Sequence, residues 1–289
     1  MRIAISPCPN DTFLYEALAR EDASTGGAVE FLDIAELNAL ANHPDGPDLI
    51  KVSCAAAPRF LERYTILPAG GAFSDAVGPL VVRPAGASEV LPNESSRVGL
   101  PGFGTSAHLL WRMWLESRDL STATESFHRF DLLPAACARR EIDFAVVIHE
   151  SRFTFRESGL EEVQDLGKFW DETTHLPVPL GCLLCRRDRG ETFATRALAS
   201  VRESLRDAWA RPEPTTAWIR EHAQEMSESV QRQHIATYVT PRSLDCGEDG
   251  LRAMERLWTL ADRFLGGAGS SPESRHDALE EARRRLLRS

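Results

Sequence analysis

Residues 2–20 read RIAISPCPNDTFLYEALAR. The opening RIAI is a short apolar run that two prolines terminate, and TFLYEALAR then has the apolar spacing of a helix. Strand, turn and helix in this order open an α/β unit. The polar residues at the turn, Asn10, Asp11 and Thr12, can cap the helix or, at the carboxyl end of a strand, contact a ligand.

The alternation of strand and helix continues along the chain. AVEFLDI (28–34) predicts a strand, AELNALAN (35–42) a helix, and DLIKVSCAAAPRFLERY (48–64) a strand that runs into a helix. A second series begins with RVGLPGFGTSAHLLWRMWLES (97–117) and ends with the strand DFAVVIHE (143–150). This order indicates the α/β class with mainly parallel sheets.

Two similar segments indicate how the series are joined. VGPLVVRP (77–84) and PVPLGCLLCRRD (177–188) share a proline entry, an apolar centre and an arginine exit, so we interpret them as paired hinge strands. They predict a larger α/β lobe of residues 1–82 and 184–289, with C-terminal helices, and a smaller α/β lobe of residues 83–183. The ligand cleft is expected between the two lobes.

Composition limits the partners and the compartment. The chain has 289 residues and a formal net charge of −10, which disfavours nucleic acid and anionic membrane surfaces. The N-terminal segment is too polar for a signal-peptide core, and no apolar run is long enough to span a bilayer. Six cysteines in a chain of this length fit free thiols in a reducing compartment. We therefore expect a cytoplasmic protein; the sequence does not give its oligomeric state.

His149 is the foremost candidate for chemistry. It follows the five-residue apolar run FAVVI, so a buried strand delivers it to the carboxyl edge of a sheet. A histidine held there in fixed geometry can act as a general base, although a lone histidine can also be structural. The other histidines lie in helix-like or loop contexts.

Two further segments offer polar groups at element ends. PGFGTSA (101–107) leads into a helix, so its glycines, with Thr105 and Ser106, can form a carboxylate cradle or an ordinary tight turn. It lacks the lysine of a P-loop and the third glycine of a dinucleotide fingerprint, so no nucleotide cofactor is indicated. Lys51 and Ser53 lie on one side of a strand end, where Lys51 can pair with an acidic substrate or an acidic neighbour.

The cysteines do not predict a metal or redox site. Cys182 and Cys185 have CxxC spacing, but three positions apart on a strand they point to opposite faces, and no second pair exists. Cys8 lies between prolines with no histidine near it in sequence, which disfavours a nucleophile. We interpret these cysteines as small buried residues.

Taken together, these segments resemble the 1,4-dihydroxy-6-naphthoate synthases of the futalosine route to menaquinone. The likeness extends over nearly the whole chain and rests on SPCPNDTF (6–13), ELNALA around Asn38, KVS (51–53), VGPLVV (77–82), PGFGTSA (101–107), IHESRFT (148–154) and DLGKFWDETTHLPVPLG (165–181). The resemblance implies the two-lobed fold of type II periplasmic solute-binding proteins. It also implies cleavage of cyclic dehypoxanthinyl futalosine to 1,4-dihydroxy-6-naphthoate and dihydroxyacetone, with no metal or organic cofactor.

The resemblance also assigns site residues. The family's catalytic histidine falls on His149. Its binding positions for a small-molecule carboxylate substrate fall on Lys51, Val52, Ser53, Thr105, Ser106, Ala107, Asp11 and Asn38. The chain departs from the family at two places, with Ser106 for a frequent threonine and Cys54 for a frequent aromatic residue, and the second departure affects the expected pocket shape.

Two alternatives remain from the sequence. One is the chorismate dehydratase of the same pathway, which has the same fold but not the histidine of IHESRFT. The other is a non-catalytic solute-binding or sensor domain, against which stand the missing export signal, the missing DNA-binding segment and His149 itself.

Overall fold

The computed structural model describes residues 1–24, 27–121, 124–223, 227–266 and 269–287. Within them lie ten strands. In chain order they are Arg2–Ile5 (β1), Ala28–Phe31 (β2), Leu49–Ser53 (β3), Tyr64–Ser74 (β4), Leu80–Pro84 (β5), Arg97–Leu100 (β6), Thr124–Phe127 (β7), Phe144–Val147 (β8), Leu160–Asp165 (β9) and Val178–Arg186 (β10).

Helices connect and cover these strands. They are Pro9–Ser24 (α1), Ile34–Ala41 (α2), Ser106–Ser117 (α3), Leu133–Ala138 (α4), Ser151–Thr154 (α5), Leu166–Thr174 (α6), Gly190–Ala210 (α7), Ala217–His222 (α8), Glu228–Tyr238 (α9), Pro241–Leu244 (α10), Gly247–Phe264 (α11) and Pro272–Leu286 (α12). The C-terminal helices predicted for residues 184–289 are therefore observed, as α7 to α12. None of the helices in the described ranges has the length and apolarity needed to cross a membrane.

The strands form two five-stranded sheets with the same layout. The first has the order β2-β1-β3-β10-β4 and the second β7-β6-β8-β5-β9. In each sheet the first three strands are parallel and come from strand–helix units. The fourth position is taken by the strand that arrives from the other sheet, β10 in the first and β5 in the second.

The expectation of mainly parallel sheets is wrong, because both sheets are mixed. β10 runs antiparallel to β3 and β4, and β5 runs antiparallel to β8 and β9. In each sheet the strand that runs against the others is the one that enters from the other sheet, after the crossings from Ser74 to Leu80 and from Thr174 to Val178. The apolar pattern of these two strands does not give their direction, so the sequence could not show that they run against their neighbours.

The 48–64 segment also differs from its prediction, because only a short 3₁₀ turn, Ala57–Phe60, follows β3, and β4 begins at Tyr64. β4 is a completely buried strand of eleven residues, and the sequence did not reveal it. Pro68 and the pair Gly70 and Gly71 conceal its strand character. They are accommodated because β4 lies at the end of its sheet and pairs irregularly with β10, where a missing N–H donor costs little.

The first sheet is buried on both faces. Cys182 and Leu184 of β10 pack into one core cluster, and Leu183 and Cys185 pack into another on the opposite face. The CxxC cysteines therefore point apart, as predicted, and all six cysteines are free and buried. The first cluster continues into the second sheet, so the two sheets share part of one core.

The predicted lobe boundaries at 82/83 and 183/184 fall inside β5 and β10. Since the crossings lie a few residues earlier, at 74–80 and 174–178, each crossing strand belongs wholly to the sheet that it enters. The division of the chain into two lobes that move as units stays a prediction.

Candidate active site

A cavity lies where the two sheets face each other, and it collects most of the residues singled out from the sequence. Seven of the nine predicted site residues line it: Asp11, Lys51, Ser53, Thr105, Ser106, Ala107 and His149. They come from the end of β3, the N-termini of α1 and α3, and the segment after β8. The carboxyl ends of strands and the N-termini of helices thus meet at one place, as an open α/β sheet requires.

Val52 and Asn38 do not line the cavity. The side chain of Val52 lies in the core, on the face of β3 opposite Lys51 and Ser53. Asn38 Oδ1 accepts a hydrogen bond from the Ser53 amide at 3.0 Å and so holds the end of β3 in place. Cys54, one of the departures noted above, is also a core residue, and its carbonyl oxygen accepts a hydrogen bond from Trp258.

A buried ion pair forms part of the cavity wall. Lys51 Nζ lies 2.8 Å from Asp11 Oδ1, and it also donates to the carbonyl oxygen of Gly70 at 2.8 Å. Asp11 accepts further hydrogen bonds from the Asn10 side chain at 2.8 Å and from the Ser6 amide at 3.2 Å. Of the two partners that the sequence left open for Lys51, the structure shows the acidic neighbour.

The start of α3 forms a polar corner of the cavity. Thr105 caps the helix, its Oγ1 accepting from the His108 amide at 3.2 Å. The Ser106 amide donates to Ser53 Oγ at 2.7 Å, and Ser106 Oγ donates to the carbonyl oxygen of Leu180 at 3.0 Å. This network ties the helix N-terminus to β3 and β10, and the helix dipole favours an anion there.

His149 occupies a strained position beside the cavity. Ile148 separates it from β8, and its φ of 53° lies in the left-handed region that non-glycine residues seldom adopt. Strain of this kind costs free energy and is concentrated at functional sites. The edge of the Phe130 ring packs against the imidazole at 4.8 Å between centroids. The backbone and this contact fix the direction of the ring.

The imidazole of His149 also contacts a thiol from the first sheet's side of the cavity. Cys8 Sγ lies 3.2 Å from His149 Nδ1, although the two residues are 141 positions apart in the chain. Cys8 has no histidine near it in sequence but does have one in space. Because the two ring nitrogens lie on different sides of the imidazole, the contact leaves Nε2 facing away from Cys8.

Burial determines the charge states of the His149 imidazole and the Cys8 thiol. It lowers the pKa of His149 from 6.5 to about 4; the Asp11 carboxylate opposes this effect and Lys51 adds to it. Burial also raises the pKa of the Cys8 thiol well above its ordinary value, with a further contribution from Glu150. At neutral pH the pair is therefore a neutral imidazole against a protonated thiol, and the imidazole can accept a proton.

One group among the described residues has the donor atoms of a metal site. Cys8, His149 and Glu150 each offer one ligand atom, and these atoms lie within 4.8 Å of one another. A sulfur, nitrogen and oxygen set of this kind suits zinc. A neutral imidazole has only one free lone pair on its ring nitrogens, so His149 cannot both bind a metal and act as the base.

His234 and Tyr238 also line the cavity, and the sequence gave no reason to place them there. They lie four residues apart on one face of α9, and their rings pack at 4.8 Å between centroids. The HIATY spacing predicts a shared helix face. It does not indicate that α9 reaches a cavity whose other lining residues all lie at or before Gly181.

The fold is the one found in periplasmic binding proteins. The alkanesulfonate-binding protein SsuA from Xanthomonas axonopodis pv. citri superimposes with a TM-score of 0.69 at 13% identity, covering 95% of this chain and 96% of that one. Protein AF1704 from Archaeoglobus fulgidus superimposes with a TM-score of 0.80 at 25% identity, covering 91% of this chain and 96% of that one. The periplasmic-binding-protein-like fold implied by the sequence is thereby confirmed.

Among proteins with this fold, the chain belongs to the family described as "Menaquinone biosynthesis", whose model matches residues 1–263. Two relatives are named 1,4-dihydroxy-6-naphthoate synthase. The one from Streptomyces coelicolor is 38% identical and covers 90% of this chain and 92% of its own. The one from Thermus thermophilus is 40% identical and covers 94% of this chain and 97% of its own. The family resemblance stated from the sequence is confirmed.

Proposed function

We propose that this protein is a carbon–carbon lyase that converts cyclic dehypoxanthinyl futalosine to 1,4-dihydroxy-6-naphthoate and dihydroxyacetone in menaquinone biosynthesis. Two relatives that bear the name of this activity support the proposal, since each aligns over at least 90% of the chain. The structural observation that carries it is the neutral imidazole of His149, held by Cys8 at the wall of the cavity.

His149 acts as the general base in the proposed reaction. With the Nδ1 proton donated to Cys8 Sγ, Nε2 has the free lone pair and accepts the proton of a sugar-derived hydroxyl. The alkoxide electrons form the carbonyl of the three-carbon fragment as the carbon–carbon bond breaks. The bond pair passes into the ring carbonyl system, whose oxygen takes up a proton. Aromatisation of the product ring makes the step favourable, and no oxidant or reductant is needed.

The polar corner at α3 holds the substrate carboxylate in this proposal. The Thr105, Ser106 and Ala107 backbone amides open the helix, and the first turn of a helix leaves such amides without intrahelical partners. Ser53 Oγ accepts from the Ser106 amide here and is the polar group that a carboxylate displaces. Lys51, bound to Asp11, contributes positive charge near this corner without being a direct ligand.

Asp11 is proposed to fix a sugar hydroxyl. A carboxylate offers about four acceptor sites. Lys51 and Asn10 take two on Oδ1, and the Ser6 amide takes one on Oδ2. One site on Oδ2 therefore remains for a substrate hydroxyl. For Asn38 and Val52 a contact with substrate stays a prediction, and in the structure both support the end of β3.

The cleft is proposed to open and close around the substrate. The free volume of the cavity is about 90 Å³. Small-molecule sites usually have about 300 Å³ or more, so a bicyclic substrate needs a wider opening. Movement of the proposed lobes, 1–82 with 184–289 against 83–183, about the crossings near 74–80 and 174–178 supplies it. Closure then excludes water from the reacting bond.

The cytoplasm is the compartment that we propose. The six cysteines are free, as expected where thiols are kept reduced. A small-molecule carboxylate is the proposed partner, since helix N-termini and a lysine line the cavity and no exposed basic surface among the described residues is involved. No metal is required by the proposed proton transfer.

The proposal is tested with purified protein and cyclic dehypoxanthinyl futalosine. We expect the wild type to form the naphthoate, and His149→Gln, which keeps a polar side chain but no basic nitrogen, to retain less than about 1% of the rate, since general-base catalysis contributes about 10²–10⁴-fold. His276→Gln changes an exposed histidine on α12 and is the matched control. Wild-type turnover by His149→Gln would refute the role of His149, and consumption of chorismate would favour the dehydratase.

A further inference from the structure

His234 is the most unusual polar side chain in the described part of the molecule. It lies on α9, retains only 1% of its exposure and lines the same cavity as His149. Neither of its ring nitrogens has a hydrogen-bond partner among the described residues. A neutral imidazole always carries one donor and one acceptor, so two hydrogen bonds are left unmade in a buried place.

The surroundings of His234 consist largely of rings that cannot satisfy it. The imidazole stacks on His149 at 6.0 Å between centroids, with 23° between the ring planes. Phe153 lies at 5.9 Å and Tyr238 at 4.8 Å. A phenylalanine or leucine would fill such a space without burying polar atoms. Buried polar side-chain atoms nearly always have partners, so an unpaired imidazole at a cavity wall points to a ligand that supplies them.

Burial also fixes the charge state of His234. It lowers the pKa of His234 well below 6.5, and the neighbouring His149 lowers it further. The ring is therefore a neutral donor and acceptor rather than a cation. Such a ring matches a hydroxyl or carbonyl group and not a carboxylate, which the polar corner at α3 suits better.

We propose that His234 is a substrate-contacting residue that binds the polyhydroxylated three-carbon fragment next to the hydroxyl that His149 deprotonates. The inference rests on the function proposed above. With the two imidazoles 6.0 Å apart, the oxygen that reacts and a neighbouring oxygen of the same fragment are held by different rings. His234 thereby aligns the breaking bond, and it makes no contact that the naphthoate product would retain.

The test separates loss of this contact from damage to the cavity. His234→Phe keeps an aromatic ring and removes both nitrogens, and His234→Gln keeps a donor and an acceptor. We expect His234→Phe to lower kcat/KM by about 100-fold, and His234→Gln to have a kcat/KM at least tenfold higher than that of His234→Phe. Both variants should bind 1,4-dihydroxy-6-naphthoate with the wild-type Kd. The product lacks the three-carbon fragment, so its Kd reports the rest of the cavity. His276→Phe controls for the substitution itself.

Two outcomes would overturn the inference. One is a folded His234→Phe protein with wild-type kcat/KM, and the other is a loss of product binding that equals the loss of kcat/KM. If the His234→Phe protein does not fold, His234→Leu is used instead, and the same two results would overturn the inference. A third readout leaves His234 unchanged: in the His149→Gln protein, intact substrate should shift the ring ¹⁵N resonances of His234, and unshifted resonances at saturation would contradict the contact. Absence of turnover by the wild type would instead refute the proposed function.

Discussion

The pH dependence of the reaction follows from the partly buried imidazole of His149. An unperturbed histidine with a pKa of about 6.5 is only about 9% neutral at pH 5.5. Burial lowers the pKa of His149 to about 4. At pH 5.5 a group with that pKa is about 97% neutral. If His149 is the base, kcat/KM at pH 5.5 should therefore stay close to its plateau value rather than fall about tenfold.

The pKa of His149 is lowered for a physical reason. Protonation places a positive charge in a desolvated site next to Lys51, and Asp11 opposes this only in part because Lys51 already neutralises it. The free enzyme therefore resists protonation until the pH approaches about 4. Activity is therefore lost at acidic pH, because only the neutral imidazole can accept a proton.

The assay measures kcat/KM for the naphthoate product from pH 5 to pH 8, with His276→Gln in parallel and with circular dichroism at each pH to confirm folding. kcat/KM reports the free enzyme and free substrate. A plateau that extends below pH 5.5 is expected. A half-maximal point between pH 6 and pH 7 would show that the base is not a desolvated imidazole and would refute the reasoning.

Three further outcomes follow from the contacts around the cavity. Cys8→Ala removes the partner of His149 Nδ1 and should lower kcat about tenfold or more, with the Kd for the naphthoate product unchanged. Cys8→Ser keeps a polar partner and should retain most of the activity. Equal kcat values for the wild type and both variants would exclude an orienting role of Cys8. Lys51→Met leaves the Asp11 carboxylate buried and unpaired and should lower the free energy of unfolding, measured in urea, by about 3–5 kcal/mol. The double variant Lys51→Met with Asp11→Asn should recover much of the lost stability. A Lys51→Met protein as stable as the wild type would contradict the buried ion pair. Dialysis against EDTA should leave turnover unchanged, and a loss restored by Zn²⁺ would instead make Cys8, His149 and Glu150 a metal site.

The sequence predicted the residues around the cavity well because local rules govern them. A strand ends at Ile148 or just before it, a helix begins at Ser106, and β3 ends at Ser53. Within each sheet these ends lie at one edge, but Lys51 belongs to the first sheet and His149 to the second, so only the facing arrangement of the two sheets places both at one cavity. That reasoning put His149, Asp11 and Lys51 at the ends of strands, and the family resemblance assigned all three to one site.

The remaining features depend on contacts between distant parts of the chain. The antiparallel crossing strands were not foreseen, because an apolar run such as that of β5 or β10 has no direction in its sequence pattern. The pairing of Cys8 with His149 and the approach of α9 to the cavity likewise join segments far apart in the chain. His234 lies on a helix with ordinary patterning, and only its unsatisfied nitrogens distinguish it.

For Lys51 the sequence left two partners open; the structure shows the acidic neighbour, and a contact with the substrate stays a prediction. A lysine at a strand end can bind an acidic substrate or an acidic neighbour. α1 brings Asp11 to 2.8 Å from Lys51 Nζ, and the Gly70 carbonyl takes a second of its donors. We therefore propose that the positive charge of Lys51 mainly stabilises the Asp11 carboxylate in the cavity wall. We assign the substrate carboxylate to the helix N-terminus of α3.

The most direct test of the proposed lyase activity is the mass balance of a reaction with cyclic dehypoxanthinyl futalosine. Purified wild-type protein is incubated with the substrate, and both products are quantified by chromatography and mass spectrometry. Cleavage of one carbon–carbon bond without water or an oxidant predicts 1,4-dihydroxy-6-naphthoate and dihydroxyacetone in equal amounts, each equal to the substrate consumed. Unconsumed substrate with an active site that still binds the naphthoate, or naphthoate without the three-carbon product, would contradict it.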